Sequence, residues 1–315
     1  MVKKEEEFFE FIFERQLVWY NRNIKNTKSW THDKTLQKYK FCNCYRELDK
    51  GTQYIINKLK TEKSRETIFQ NVVFYRFFNK FNLYEDLDIS LIENWNKERI
   101  KELIKRFDYL RSQGKTIFHD AYLISGNKTK EPKHIFILKV LESSFSNKKT
   151  KEIIKGIDNC KTPEESMQVI KKIPKVGDFL AYEIWTDLTY FNFFKRKWTD
   201  NDFVNIGPGA KWGLELIYEK KLSNKEQLEK INHLHKVQKQ FLEKIKKNKL
   251  SWKDISYKDC FTNSPYLSLR NIEHSLCEFR KYLRLKEGKG KKRYYKSSIK
   301  GFPGINSEGN PCFLK

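Results

Sequence analysis

Two short turns, Ile173-Pro174-Lys175-Val176-Gly177 and Gly207-Pro208-Gly209-Ala210, each lead into a helical pattern, and Asp200 and Asp202 stand between them. A helix that starts straight after such a turn leaves backbone N–H groups free at its positive end, where a phosphate is readily held. Lys175, Gly177, Gly207, Gly209 and Lys211 are therefore the candidate contacts to a nucleic-acid backbone. A carboxylate at Asp200 or Asp202 suits proton abstraction or the stabilisation of developing positive charge, and alternatively caps the helix that follows. A second set is Asn43, Arg46 and Asp49, whose spacing of three places them along one side of a helix beside Phe41 and Tyr45. That stripe can hydrogen-bond a planar ligand and stack on it, or form a buried polar network tying helices together.

Nearly everything around these residues has helical spacing. Phe8, Phe9, Ile12, Phe13, Leu17 and Val18 repeat as an amphipathic helix over residues 5–26, with Glu14, Arg15 and Arg22 free to face a ligand. Ser29, Thr31 or Asp33 can cap a helix running from residue 34 to 59, whole or divided at Gly51. Residues 64–84 form an aromatic-rich core helix, and 96–112 a charged one stopped by Gly114. A short apolar run at 121–126 leads to a loop, and helices follow over 134–145 and 147–157. Thr162-Pro163-Glu164-Glu165 has the composition of a capping box with proline in the first turn. Further helices are expected over 224–247 and 267–284, and no run has the period of a strand. The expected architecture is all-α, a helical domain over 1–286 that can divide into two lobes. A basic, glycine- and lysine-rich tail over 287–315 is expected to be unstructured.

Composition narrows the partners. Lysine plus arginine number 64 against 40 acidic residues, a net charge of +24 that suits a polyanion. The alternative is compositional drift toward lysine and asparagine. The N-terminus, MVKKEEEFFEFIFER, fits neither a secretory signal nor a membrane span, so an intracellular protein with no membrane partner is expected. The six cysteines are scattered and read as reduced thiols. Cys42 and Cys44 cannot share a helix face, nor can His233 and His235, so no metal or other cofactor is expected.

Ile173-Pro174-Lys175-Val176-Gly177 followed by Phe179-Leu180-Ala181 resembles the helix-hairpin-helix pattern, which docks on a DNA phosphate through backbone N–H groups. Lysine replaces the usual first glycine, a position that favours positive φ. In base-excision glycosylases built on that hairpin a catalytic aspartate follows ahead of a helix, the place of Asp200 and Asp202 here. Glycosylases that also cleave the strand carry a lysine where this chain has Phe179, so lyase chemistry is not expected.

Five ordered motifs together resemble one family. They are W-T-H-D at 30–33, F-C-N-C-Y-R-E-L-D-K-G-T at 41–52, V-G-D-F-L-A-Y-E-I-W-T-D-L at 176–188, F-V-N-I-G-P-G-A-K-W-G-L at 203–214 and I-E-H-S-L-C-E-F-R-K-Y at 272–282. The family is the α-glutamyl/putrescinyl-thymine pyrophosphorylase-like one, also called the 5-hydroxymethyl-deoxyuridine DNA kinase helical domain, and the likeness covers residues 8–285. It implies a fold related to helix-hairpin-helix DNA glycosylases and a place in phage or viral thymine hypermodification, where an activated 5-hydroxymethyluracil in DNA is substituted by an amine or amino acid. Asn43, Arg46, Asp49, Asp187, Gly207, Gly209, Glu273, His274 and Glu278 fall within the shared motifs. No G-x-x-x-x-G-K-[ST] loop is present, so a P-loop kinase is not expected.

On that resemblance the expected protein is a DNA-binding enzyme acting on a modified thymine by group transfer at the 5-methylene or by base excision. A non-catalytic DNA-binding scaffold of the same fold is the alternative. Asn43 and His274 would bind the base, Trp30, Tyr45 and Trp212 would stack on it, and Arg46 would contact a phosphorylated leaving group. Asp49, Asp187, Asp202 or Glu273 would deprotonate the incoming amine. Arg46, Asp187, Asp202 and Glu273 are then expected to line one basic cleft.

Overall fold

The computed structural model describes residues 2–119, 131–145, 147–258 and 263–295. The apolar run at 121–126 lies outside the described residues, as do Cys260, Cys312 and 296–315. The helices begin with α1 (Val2–Asn23), α2 (Lys34–Lys38), α3 (Lys50–Leu59), α4 (Arg65–Phe78), α5 (Leu83–Leu87), α6 (Lys97–Ser112) and α7 (Lys133–Ser144). They continue with α8 (Asn147–Asn159), α9 (Pro163–Lys171), α10 (Asp178–Thr189), α11 (Pro208–Tyr218), α12 (Asn224–Leu242), α13 (Trp252–Ile255) and α14 (Leu269–Lys286). Among the described residues the fold is all-α apart from one two-stranded hairpin, Lys246–Lys247 with Leu250–Ser251. The chain forms two compact units, Met1–Asp49 with Asp200–Lys315, and Lys50–Thr199.

Local chemistry accounts for most helix ends. The Thr162 side chain accepts from the Glu165 N–H while Glu165 reaches back to the cap, as the sequence implies. Ser223 and Glu226 do the same for α12. Gly114, at φ +71°, follows α6.

Two stretches differ from the sequence expectation. The expected helix over 34–59 stops at Lys38, runs as an extended segment to a 3₁₀ turn at Arg46–Leu48, and resumes as α3 with Gly51 inside it. The helix expected to 247 ends at Leu242, because Asn248 and Lys249 both adopt positive φ and turn the chain into the hairpin. Residues 287–295, expected to begin an unstructured tail, run back instead. Tyr294 pairs with Tyr39, and Lys40 N–H donates to Arg293 O at 2.8 Å.

In the first unit, Phe8, Phe9, Ile12 and Phe13 of α1 are buried with Leu214 and Ile217 of α11 and Ile272, Leu276 and Phe279 of α14. α11 meets α14 backbone to backbone. A Cβ built on Gly213 would lie 2.5 Å from Leu276 O, and one on Gly209 would lie 2.7 Å from Cys277 Sγ. Four residues apart, these two glycines share one face of α11 and let the helices approach. In the second unit α4 is buried along its whole length from Thr67 to Phe78. α10 packs against it, and Trp185 Nε1 donates to Ser166 Oγ of α9 at 2.9 Å.

Candidate functional site

The polar residues singled out in the first unit converge, although not as a helical stripe. Residues 40–49 cross α14, which holds them with Asn271, His274, Glu278 and Lys281, spaced three, four and three apart on one helical face. Arg46 N–H donates to Asn271 Oδ1 at 2.9 Å, and Asn271 Nδ2 donates to Glu47 Oε2 at 3.1 Å. Cys42 N–H donates to Glu278 Oε2 at 2.9 Å, and Lys281 Nζ donates to Lys40 O at 2.9 Å. The segment also closes on itself, with Asn43 N–H donating to Asp49 Oδ1 at 3.0 Å and Asn43 Nδ2 to Leu48 O at 2.7 Å.

Arg15, which the sequence left free to face a ligand, is buried beneath this segment. Its guanidinium donates to Cys42 O at 2.8 Å, Phe41 O at 3.0 Å and Asn43 Oδ1 at 2.7 Å. Burial acts to raise the Glu278 carboxyl, but Lys281, His274 and the Cys42 N–H outweigh it and hold the group below its ordinary value. Burial pushes the Cys42 thiol well up, and Glu278 and Asp49 push it further. His274 Nε2 lies 3.7 Å from Asp49 Oδ2. Among the described residues, Cys42, Asp49 and His274 are the one set of three histidine, cysteine or carboxylate donors grouped closely enough to hold a metal ion.

Several expected roles are corrected by burial and pairing. Tyr45 is fully buried, stacked 6.3 Å from Trp252 and donating to Pro265 O at 2.6 Å, so it presents no face to a base. Arg46 is 2% exposed and Glu273 4% exposed, and Glu273 forms a short ion pair with Arg270. These are the bonds of the polar-network alternative, not a solvent-open leaving-group pocket. Asp187 belongs to the second unit, is fully buried, and accepts from Arg76 at 2.5 Å and 2.7 Å. Both of its oxygens are engaged by that guanidinium and none of its surface faces solvent, so it is not placed to meet a substrate. Gly209 serves helix packing, and Glu273 Oε1 lies 3.8 Å from where a Gly207 Cβ would be. An acid beside the positive end of α11 is stabilised by it and works against a phosphate there. Asp200 is fully buried and accepts from Ser268 Oγ at 2.6 Å, which makes it a structural support at the start of α14.

Other candidates face solvent. Asp202 is exposed on the connection ahead of α11. Trp212 is 42% exposed, with the Arg280 guanidinium 3.8 Å from its ring centroid. Lys211 is half-buried on the same helix. Trp30 is half-buried against Tyr295, its indole donating to Thr27 O at 2.7 Å. In the second unit the turn between α9 and α10 exposes Lys175, Gly177 and Phe179, with Lys175 at φ +69°. Gly177 is extended, and a Cβ there would meet nothing within 4 Å.

Sequence reasoning missed Asn271 and Arg270. The spacing of Asn271, His274, Glu278 and Lys281 was the available signal for the first, and Arg270 has none beyond its place one turn before Glu273.

The architecture is therefore that of an all-helical, strongly basic protein whose first unit carries a polar network between one helix and one extended segment. The sequence model of the 5-hmdU DNA kinase helical domain matches residues 3–292, and the chain belongs to that family. It is 30% identical over 304 residues to the 5-hmdU DNA kinase of Bacillus phage SP10, a match covering 87% of this chain and 44% of the relative. The chain thus spans less than half the length of that relative. No solved structure matches the chain. Among the described residues no helix is long and apolar enough to cross a membrane.

Proposed function

We propose that this chain is a DNA-directed enzyme acting on the 5-hydroxymethyl-derived substituent of a uracil base in DNA, by group transfer at that substituent with the glycosidic bond left intact. The observation that carries the reading is the family match over residues 3–292, joined to a relative whose name specifies 5-hmdU in DNA. The net charge of +24 supports a polyanionic substrate. In this reading Lys175 and Gly177, exposed on their turn, contact the phosphate backbone, and Trp212 with Arg280 offers a face on which a flipped base can stack. Asp202 is the exposed carboxylate assigned to proton transfer. The relative's name implies a phosphoryl donor, whereas this sequence has no G-x-x-x-x-G-K-[ST] loop. The co-substrate is accordingly a nucleotide or an amine.

The test is mass spectrometry of nucleosides from DNA carrying 5-hydroxymethyluracil, or its phosphorylated or pyrophosphorylated form. Incubations contain the protein alone, with a nucleoside triphosphate, or with an amine. A mass change confined to the 5-substituent is expected, abolished by Asp202→Asn with duplex binding kept within a few-fold. Release of free base would replace group transfer by excision. Unchanged nucleosides in every arm, with DNA still bound, would establish the scaffold reading, which the buried pairing of Arg270 with Glu273 favours.

A further inference from the structure

Cys42 Sγ, a carboxylate oxygen of Asp49 and an imidazole nitrogen of His274 all lie within 4.8 Å of one another. The histidine nitrogen facing the group is Nε2, which is buried and has no hydrogen-bond partner. Asp49 Oδ2, at 3.7 Å, is beyond hydrogen-bonding range. A buried imidazole nitrogen is costly to leave unmet, so this atom requires an explanation. Two of the donors are also held in place by hydrogen bonds, and the third by its helix. Asp49 Oδ1 accepts the Asn43 N–H, the Cys42 backbone is bonded on both sides by Glu278 and Arg15, and His274 is carried on α14. Supported donors of this kind are the usual companions of metal ligands.

Two carboxylates adjoin Cys42, Asp49 within the group and Glu278 on its backbone N–H. The nearby cations Arg15 and Lys281 donate to Cys42 O, Phe41 O, Asn43 Oδ1, Lys40 O and Glu278.

We propose that Cys42, Asp49 and His274 form a transition-metal site, selective for Zn²⁺. One thiolate, one imidazole and one carboxylate suit a borderline-soft ion and disfavour Mg²⁺ and Ca²⁺, which take oxygen ligands. Three protein ligands leave a fourth position for a water. The sequence hid the site because the three ligands come from an extended segment and a helix more than two hundred residues away, not from a short Cys or His spacing. The proposal does not depend on the base-modification reading, since metal binding is measured without DNA.

The test is to strip the full chain with a chelator, dialyse it against Zn²⁺ and measure bound metal by plasma mass spectrometry. A parallel Co²⁺ titration reads the ligands directly through the thiolate-to-cobalt charge-transfer band and the visible bands of a tetrahedral ion. One equivalent of Zn²⁺ and a thiolate band are expected for the unaltered chain. Cys42→Ser should lose the band, and both Cys42→Ser and His274→Ala should bind about tenfold or more weakly. Cys44→Ser, in the same segment but with Sγ directed at Ile12 O, should keep both signals. Absence of stoichiometric zinc or of the thiolate band in the unaltered chain would overturn the proposal without reliance on any variant. Retention of the band in Cys42→Ser would overturn it as well.

Discussion

The buried Asp187–Arg76 pair separates a structural from a catalytic assignment most sharply. Arg76 on α4 is 4% exposed at its side chain and Asp187 on α10 fully buried. Nε and Nη2 of Arg76 meet the two carboxylate oxygens at 2.5 Å and 2.7 Å. Asn79 Oδ1 accepts Nη1 at 3.0 Å, and Glu183 Oε2 lies 3.5 Å from Nη1. Asp187→Ala leaves a guanidinium in the interior with one carboxylate partner instead of two. Breaking a buried pair costs about 3–5 kcal/mol, and the remaining Glu183 places the loss near the lower end, about 3 kcal/mol. For a unit of this size that corresponds to a melting shift of roughly 6–12 °C.

Arg76→Met, which leaves two buried carboxylates facing each other, should cost more than Asp187→Ala. The triple variant Arg76→Met/Asp187→Leu/Glu183→Gln removes these three charges together, and should recover to within about 2 kcal/mol of the unaltered chain. Calorimetry and urea unfolding of the full chain check the series, with the transition of Lys50–Thr199 followed by its own hydrogen exchange. If Asp187→Ala unfolds like the unaltered chain yet converts no modified nucleoside, the structural assignment is refuted and Asp187 acts on substrate.

Gly213→Ala should destabilise the first unit by about 1–3 kcal/mol in urea unfolding, because its Cβ would lie 2.5 Å from a backbone oxygen of α14 that has no flexible end to move. Lys175→Gly should raise stability by about 0.5–1 kcal/mol, by removing a side chain held at φ +69°. It should also lower the salt slope of DNA binding by about 1 if the ammonium meets a phosphate. His134 is buried, and burial lowers its pKa from the ordinary value of 6.5 although Asp108 acts against this. The unfolded chain therefore takes up the proton first. The stability is intact above about pH 6.5 and declines as pH falls from there toward the lower folded value, so the melting temperature should fall between about pH 8 and pH 5, and less steeply in His134→Gln.

Helix boundaries set by local chemistry were legible in the sequence. Thr162 with Glu165 and Gly114 act through neighbours a few residues away, so a short window contains both partners. The segment 39–49 was not legible for the opposite reason. Asn43, Arg46 and Asp49 have helical spacing, yet the N–H groups a helix would use are taken elsewhere: Lys40 by Arg293 O, Cys42 by Glu278 and Arg46 by Asn271. Every buried N–H must find an acceptor, and these acceptors arrive only when the chain returns more than two hundred residues later. The same holds for the candidate ligands, since Cys42 was judged against Cys44, its neighbour in sequence, while Asp49 and His274 are its neighbours in space.

α14 explains why residues from distant motifs belong together. Its face at Glu273, Leu276 and Cys277 meets the glycines of α11, and its face at Asn271, His274, Glu278 and Lys281, roughly a third of a turn away, carries the extended segment. One rigid helix thus fixes both the close approach of α11 and the positions of Cys42 and Asp49 relative to His274. Asp202, Lys211 and Trp212 lie on or just before α11, so their placement relative to the polar segment is set by the same glycine contact. Gly209, expected as a phosphate contact, contributes to the site with Gly213 as a spacer between helices. A phosphate at the start of α11 would have to displace Glu273 from beside Gly207, whereas at the exposed turn of Lys175 and Gly177 the first-turn acid, Asp178, is already paired with Lys171 at 2.6 Å and a Cβ on Gly177 would meet nothing within 4 Å, which is why the backbone grip is assigned there.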